Sequence, residues 1–245
     1  MRRLFPLLLL LLPASAAGQQ HTDSLLTLPF RIHLMQSEIR AVRTTGYGPF
    51  MERFLNDTTT YGKQHGRLNV NTIWRQAGIV WKIESIVTTP ANHAEQYDRL
   101  VQTRSVLPDS VSKVVATVIE DGELLSPGWN IFLLYDFGRH ADGVFLREYG
   151  AVVYALMRTL SINPVHTVRI QAPAMLAHEL GHALGLPHVR NGTNLMRPGT
   201  LVDFLESEPG LQVPAPHTID NLRLTQEQIA AARRQARTGR PAISP

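Results

Sequence analysis

Apolar residues recur along this chain with two periods, and the changes of period mark out its elements. Over residues 27–35, Ile32 and Leu34 alternate with Arg31 and His33, the two-residue period of a strand. Residues 68–77 place Val70, Ile73, Trp74 and Ala77 on one face of a helix that Gly78 ends. A β-branched run at 79–87 predicts a second strand. Helices are expected at 94–104 and at 108–120, the latter opened by Pro108, striped by Val111, Val114, Val115, Val118 and Ile119, and followed by Gly122. The apolar run 129–137 predicts a third strand. Two more follow at 143–147 and 150–156, the first short enough for a sheet edge. A long helix is expected to open near Ala172 and Pro173, with proline in the tolerated first turn, and to run to Leu184. Its core contacts would be Met175, Leu176, Leu180, Ala183 and Leu184. Residues 46–66, apart from 50–55, and residues 200–222 show no regular period. A final helix begins at Thr225, whose spacing to Gln228 makes a capping box, and runs to about residue 237 with Ile229 and Ala230 inward.

No internal repeat or low-complexity linker interrupts this order, so residues 27–238 are expected to form one domain. Ahead of it, Arg2 and Arg3, the apolar run 4–12 broken by Pro6, and Ala14-Ser15-Ala16-Ala17 have the composition of a secretory signal over residues 1–17. That run is too short to cross a bilayer. The expected product is exported, periplasmic or extracellular, with a short mature segment at 18–26, a tail at 239–245 and no membrane span after signal removal. The sequence has no cysteine, which excludes disulfides and a cysteine-linked lipid anchor. The net charge of +4 is mild. Its surplus lies in Arg233, Arg234, Arg237 and Arg240 without interleaved aromatics, the pattern of a solvated helix face; no nucleic-acid partner is expected, and the protein should be a monomer.

The chemistry is concentrated in His178-Glu179-Leu180-Gly181-His182-Ala183-Leu184-Gly185-Leu186-Pro187-His188. His178 and His182 stand one helical turn apart on one face, where two imidazoles can hold one metal ion. Glu179 points to the side of that face, badly placed as a ligand and well placed as a base for water at the metal. A catalytic zinc needs three protein ligands and an open position. A straight helix would carry His188 away. Gly185 can take the left-handed conformation and end the helix, and Pro187 disfavours its resumption, so His188 can turn back to close the site. One catalytic zinc ion on His178, His182 and His188 is therefore expected.

These residues fill every fixed position of H-E-x-x-H-x-x-G-x-x-H and resemble the metzincin clan of zinc endopeptidases. The resemblance implies an α+β fold with a twisted, mixed, five-stranded sheet over the active-site helix and a C-terminal helical subdomain. It implies that Met196 lies in a tight turn beneath the histidines and supports them by packing, as Gly185 does by turning the chain. It also implies hydrolysis of a polypeptide substrate, laid along the edge strand at 143–147, by zinc-bound water that Glu179 activates. The wall of the pocket beyond the scissile bond would come from residues 197–217. Asn194-Leu195-Met196-Arg197-Pro198 looks most like matrixin and adamalysin segments, and the helix between the second and third strands is closer to adamalysins. Val189, after the third histidine, matches no branch. His140-Ala141-Asp142 is similar to part of a matrixin structural zinc site, but its other ligands are not evident, and a polar loop is expected there. Two other readings share the motif: an inert exported binding protein stabilised by zinc, and a zinc hydrolase of a non-peptide amide or ester.

Overall fold

The computed structural model describes residues 24–37, 69–103, 117–119, 127–134, 143–155, 168–190, 194–197 and 222–243. Strand β1 (Leu26–Gln36) runs parallel to β2 (Ile79–Pro90), and between Phe30 and Arg31 their register slips. Glu84 is the extra residue at that bulge, and its carboxylate accepts from Arg31 Nε at 2.9 Å. Strand β3 (Trp129–Leu134) pairs in parallel with the other side of β1. Strand β5 (Ala151–Ala155) pairs in parallel with β3, and β4 (Gly143–Leu146) pairs antiparallel with β5. The order is β2-β1-β3-β5-β4; the mixed five-stranded sheet that the resemblance implied is present, with the short β4 at an edge as its length suggested.

Every residue of β3 is buried, because both sheet faces are covered. On one face, Phe132, Leu134, Ala151 and Val153 pack with Tyr97 of helix α2 (Ala94–Thr103) and with Val118 and Ile119. The rest of the helix expected at 108–120 lies outside the described residues. On the other face, Phe30, Ile32, Trp81, Ile131 and Val152 meet helix α1 (Val70–Trp74), helix α3 (Val168–Ala183) and helix α4 (Gln226–Arg237). Three tryptophans fill its centre: Trp81 meets Trp74 and Trp129 edge to face, with centroids 6.4 and 5.3 Å apart.

Helix α1 is capped by Asn69, whose side chain accepts from the Thr72 N–H at 2.7 Å. It passes into a 3-10 turn, Arg75–Ala77, that Gly78 closes at φ 62°, so the predicted apolar face is all buried. Trp74 Nε1 donates to Ala177 O at 3.2 Å and fastens α1 to α3. Helix α3, expected to open near Ala172, already runs from Val168, so Pro173 lies inside it rather than in its first turn. Proline removes one donor and crowds the turn before it, yet it does not forbid helix N-terminal to itself, so it fixes no start.

The final helix folds back against β1 and the 3-10 turn. Its Arg233 donates to Ala77 O at 2.9 Å and to Ser24 O at 3.2 Å. Beyond it, the Ala242 N–H donates to Ala183 O at 2.8 Å, so the segment read as a tail lies on the C-terminus of α3.

Candidate metal centre

Three features of the chain bring His178, His182 and His188 together. The first is helical spacing in α3. The second is the way the helix stops. Gly185 has φ 79°, its N–H donates to His182 O at 2.9 Å, and the Leu186 N–H donates to Gly181 O at 2.9 Å. This is a Schellman turn with glycine in its left-handed position, as expected of Gly185. It swings the chain back so that His188 faces the helix it has just left.

The third feature is the turn at 194–197. Asn194 O accepts from the Arg197 N–H at 3.2 Å, and Asn194 Oδ1 accepts from the Met196 N–H at 2.8 Å. The Val189 N–H donates to Met196 O at 3.0 Å and ties the His188 segment to this turn. Met196 is fully buried against α3. A Cβ at Gly181 would run into Met196 Sδ, so the glycine is what lets the turn approach the helix this closely.

The three Nε2 atoms form a small triangle: 3.1 Å from His178 to His182, 3.1 Å from His178 to His188 and 3.0 Å from His182 to His188. The opposite nitrogens have carbonyl partners. His178 Nδ1 donates to Leu195 O at 2.6 Å, and His182 Nδ1 donates to Leu186 O at 2.8 Å. A carbonyl oxygen can only accept, so in each neutral ring the hydrogen sits on Nδ1 and Nε2 keeps a bare lone pair. At least two bare lone pairs, those of His178 and His182, therefore converge on one point, where a single cation could accept both. A tetrahedral ion with bonds of about 2.0–2.1 Å spaces its ligands roughly 3.3–3.4 Å apart, and this triangle is only slightly tighter. Among the described residues this is the one group of three or more His, Cys, Asp or Glu side chains close enough to share an ion.

Electrostatics favours the same state. Burial, above all, lowers the pKa of His178; the Leu195 carbonyl raises it somewhat and His188 lowers it. Burial takes His182 down to about 4, with His178 as the next cause. Burial also lowers His188. All three rings are thus neutral near pH 7, the form in which imidazole ligates metal. Glu179 stands apart from the triangle, as its place on the helix requires. It receives a backbone hydrogen bond from Phe145 of β4, while burial outweighs that bond and raises its pKa to about 8.

The structure thus brings together His178, Glu179, His182, Gly185, His188 and Met196. Residues 198–217 of the expected pocket wall, and 140–142, lie outside the described residues. Sequence reasoning missed Gly181, Asn194 and the second role of Gln228. A glycine inside a strongly apolar helix was a legible hint of close approach. Nothing in the sequence linked Asn194 to Gln228.

No protein-family profile matches the chain, and no curated protein does. Among solved structures it resembles the crystal structure of an archaemetzincin from Methanopyrus kandleri, with 13% identity over 86% of this chain and 96% of that one, at a TM-score of 0.48. Likeness at that level transfers neither residues nor chemistry.

Proposed function

We propose that this chain is a zinc-dependent endopeptidase of metzincin type. The observation that carries the reading is the Nε2 triangle, with its lone pairs turned inward by the Leu195 and Leu186 carbonyls, beside a shielded carboxyl group. His178, His182 and His188 would hold one zinc ion through Nε2. When bound, that ion supplies Lewis acidity toward the scissile carbonyl and lowers the pKa of water to about 7.

Glu179 is the proton carrier. Without a cation nearby, burial keeps it protonated at neutral pH; next to a divalent charge its pKa would fall, and the Glu179 carboxylate would accept a proton from the attacking water. The same oxygen then returns the proton to the departing amine. The substrate is an extended polypeptide. Among the described residues β4 pairs only with β5, and Phe145 on that strand touches Glu179, so a peptide added along the other side of β4 would pass the base. A base has no use in a site that is only structural, which sets the inert binding protein aside. The matrixin- and adamalysin-like features of 194–198 rest on sequence alone, as does export by a leader at 1–17. Among the described residues no helix is long and apolar enough to cross a membrane.

The test is cleavage of an unstructured protein such as casein by the purified chain, abolished by a chelator and restored by zinc. Glu179→Ala should keep the metal and lose about 10²–10⁴-fold in rate. Undiminished cleavage by that variant refutes the role of Glu179. A zinc-loaded wild type that cleaves no protein refutes the peptidase.

A further inference from the structure

Helix α4 meets the 194–197 turn through the Gln228 side chain, and its first turn does more than cap itself. Gln228 Oε1 accepts from the Thr225 N–H at 2.9 Å, and Thr225 Oγ1 accepts from the Gln228 N–H at 3.2 Å, the capping box legible in the sequence. The same Gln228 amide also lies against Asn194: Asn194 Nδ2 donates to Gln228 Oε1 at 2.8 Å, and Gln228 Nε2 donates to Asn194 Oδ1 at 3.3 Å. Asn194 is 7% and Gln228 8% exposed, so water does not readily replace either partner.

Asn194 Oδ1, held by Gln228, accepts from the Met196 N–H and shapes the turn. The turn presents Leu195 O to His178 Nδ1 and Met196 O to the Val189 N–H, next to His188. Two members of the triangle are therefore oriented by one turn, and that turn is gripped from outside by one side chain of the last helix. We infer that Gln228 is a positioning residue for the metal centre. Through Asn194 it fixes the carbonyl that sets the ring orientation and tautomer of His178, and the strand-like contact that seats His188. Partners outside the ligand set commonly govern metal affinity about 10–100-fold.

The inference rests on the metal-site reading, and its test separates the two. Zinc affinity is measured by competition with a chromophoric chelator, and ligand geometry by the visible spectrum of the cobalt-substituted protein. Wild type reports on the site itself: failure to bind zinc sinks the metal reading, and this inference with it. The ratio of variant to wild type reports on Gln228. Gln228→Met keeps the side-chain length and loses the amide pair; zinc affinity should fall about tenfold and the cobalt spectrum should change. Thr225→Ala is the matched control. It removes half of the same capping box but leaves the Gln228–Asn194 pair, so it should lower the melting temperature by roughly 2–4 °C with affinity and spectrum unchanged. Should Gln228→Met not be recovered folded, Gln228→Ala removes the same pair in a good helix former and should behave alike. Unchanged affinity and spectrum in the Gln228 variant would overturn the inference. So would an equal loss in Thr225→Ala, which would mean that only the stability of the helix end matters.

Discussion

Glu179 sits where two demands conflict, since a base must be ionised while burial keeps this one protonated up to about pH 8. Its folded pKa lies above the ordinary 4.5, so in the metal-free protein this half-buried acid contributes stability that is complete below pH 4.5 and is lost as the pH rises through 8. His182 has the opposite sign: its pKa falls from 6.5 to about 4, so its contribution is present above pH 6.5 and lost as the pH drops toward 4. Thermal melts of metal-free wild type and Glu179→Gln across this range check both. The wild type should lose stability relative to the variant between pH 4.5 and 8, while both fall together in acid. A constant gap across the upper window would contradict the burial of Glu179. The proposed ligands and base were legible as candidates because eleven consecutive residues carry them. The carbonyls that orient the rings were not, since backbone partners leave no mark in side-chain identity.

Two glycines decide how the histidine helix ends and what it touches. Gly185 occupies a left-handed position at φ 79° in the Schellman turn, so Gly185→Ala should destabilise by about 1–2 kcal/mol, the cost of that conformation for a residue with a Cβ. Gly181 has ordinary helical geometry, and alanine there would gain helix propensity by up to about 1 kcal/mol. The added methyl would collide with the buried Met196 sulfur, and overpacking costs about 1–3 kcal/mol, so collision should win and Gly181→Ala should be the less stable protein than wild type. Denaturant unfolding measures both, and a stabilised Gly181→Ala would show that the turn does not press on the helix. The contrast explains what sequence could give at this scale. Gly185 acts through local backbone conformation and announces itself by spacing from His182 and His188. Gly181, Asn194 and Gln228 act across 15 to 34 residues of chain, and their partners are brought near only by the fold. Pro173 misled for a related reason: proline marks a missing donor, and it does not mark the start of a helix that already runs from Val168.

Among the described residues, a sheet with helices on both faces brings the candidate metal centre next to β4 at its edge. The apolar run of β3 and the alternation in β1 made the layers readable, and the short β4 read correctly as an edge because it lacks the length and full burial of a central strand. Strand order was less accessible, since it depends on pairings between segments as far apart as β1 and β3. Joining the helix, its returning loop and the 194–197 turn through one ion should make metal a global stabiliser. At a thousandfold excess over Kd, binding to the folded state alone adds about 4 kcal/mol, roughly 8–16 °C in melting temperature for a chain of this size. His188→Ala should abolish most of that shift, and a zinc-independent melting temperature in the wild type would mean that the triangle is not a metal site. The most direct measurement is anomalous diffraction at the zinc edge from crystals of the zinc-loaded protein. One strong peak is expected about 2.0–2.1 Å from Nε2 of His178, His182 and His188, with Glu179 outside the ligand set; a peak elsewhere, or three histidines splayed apart with no ion between them, would rule out the metal site.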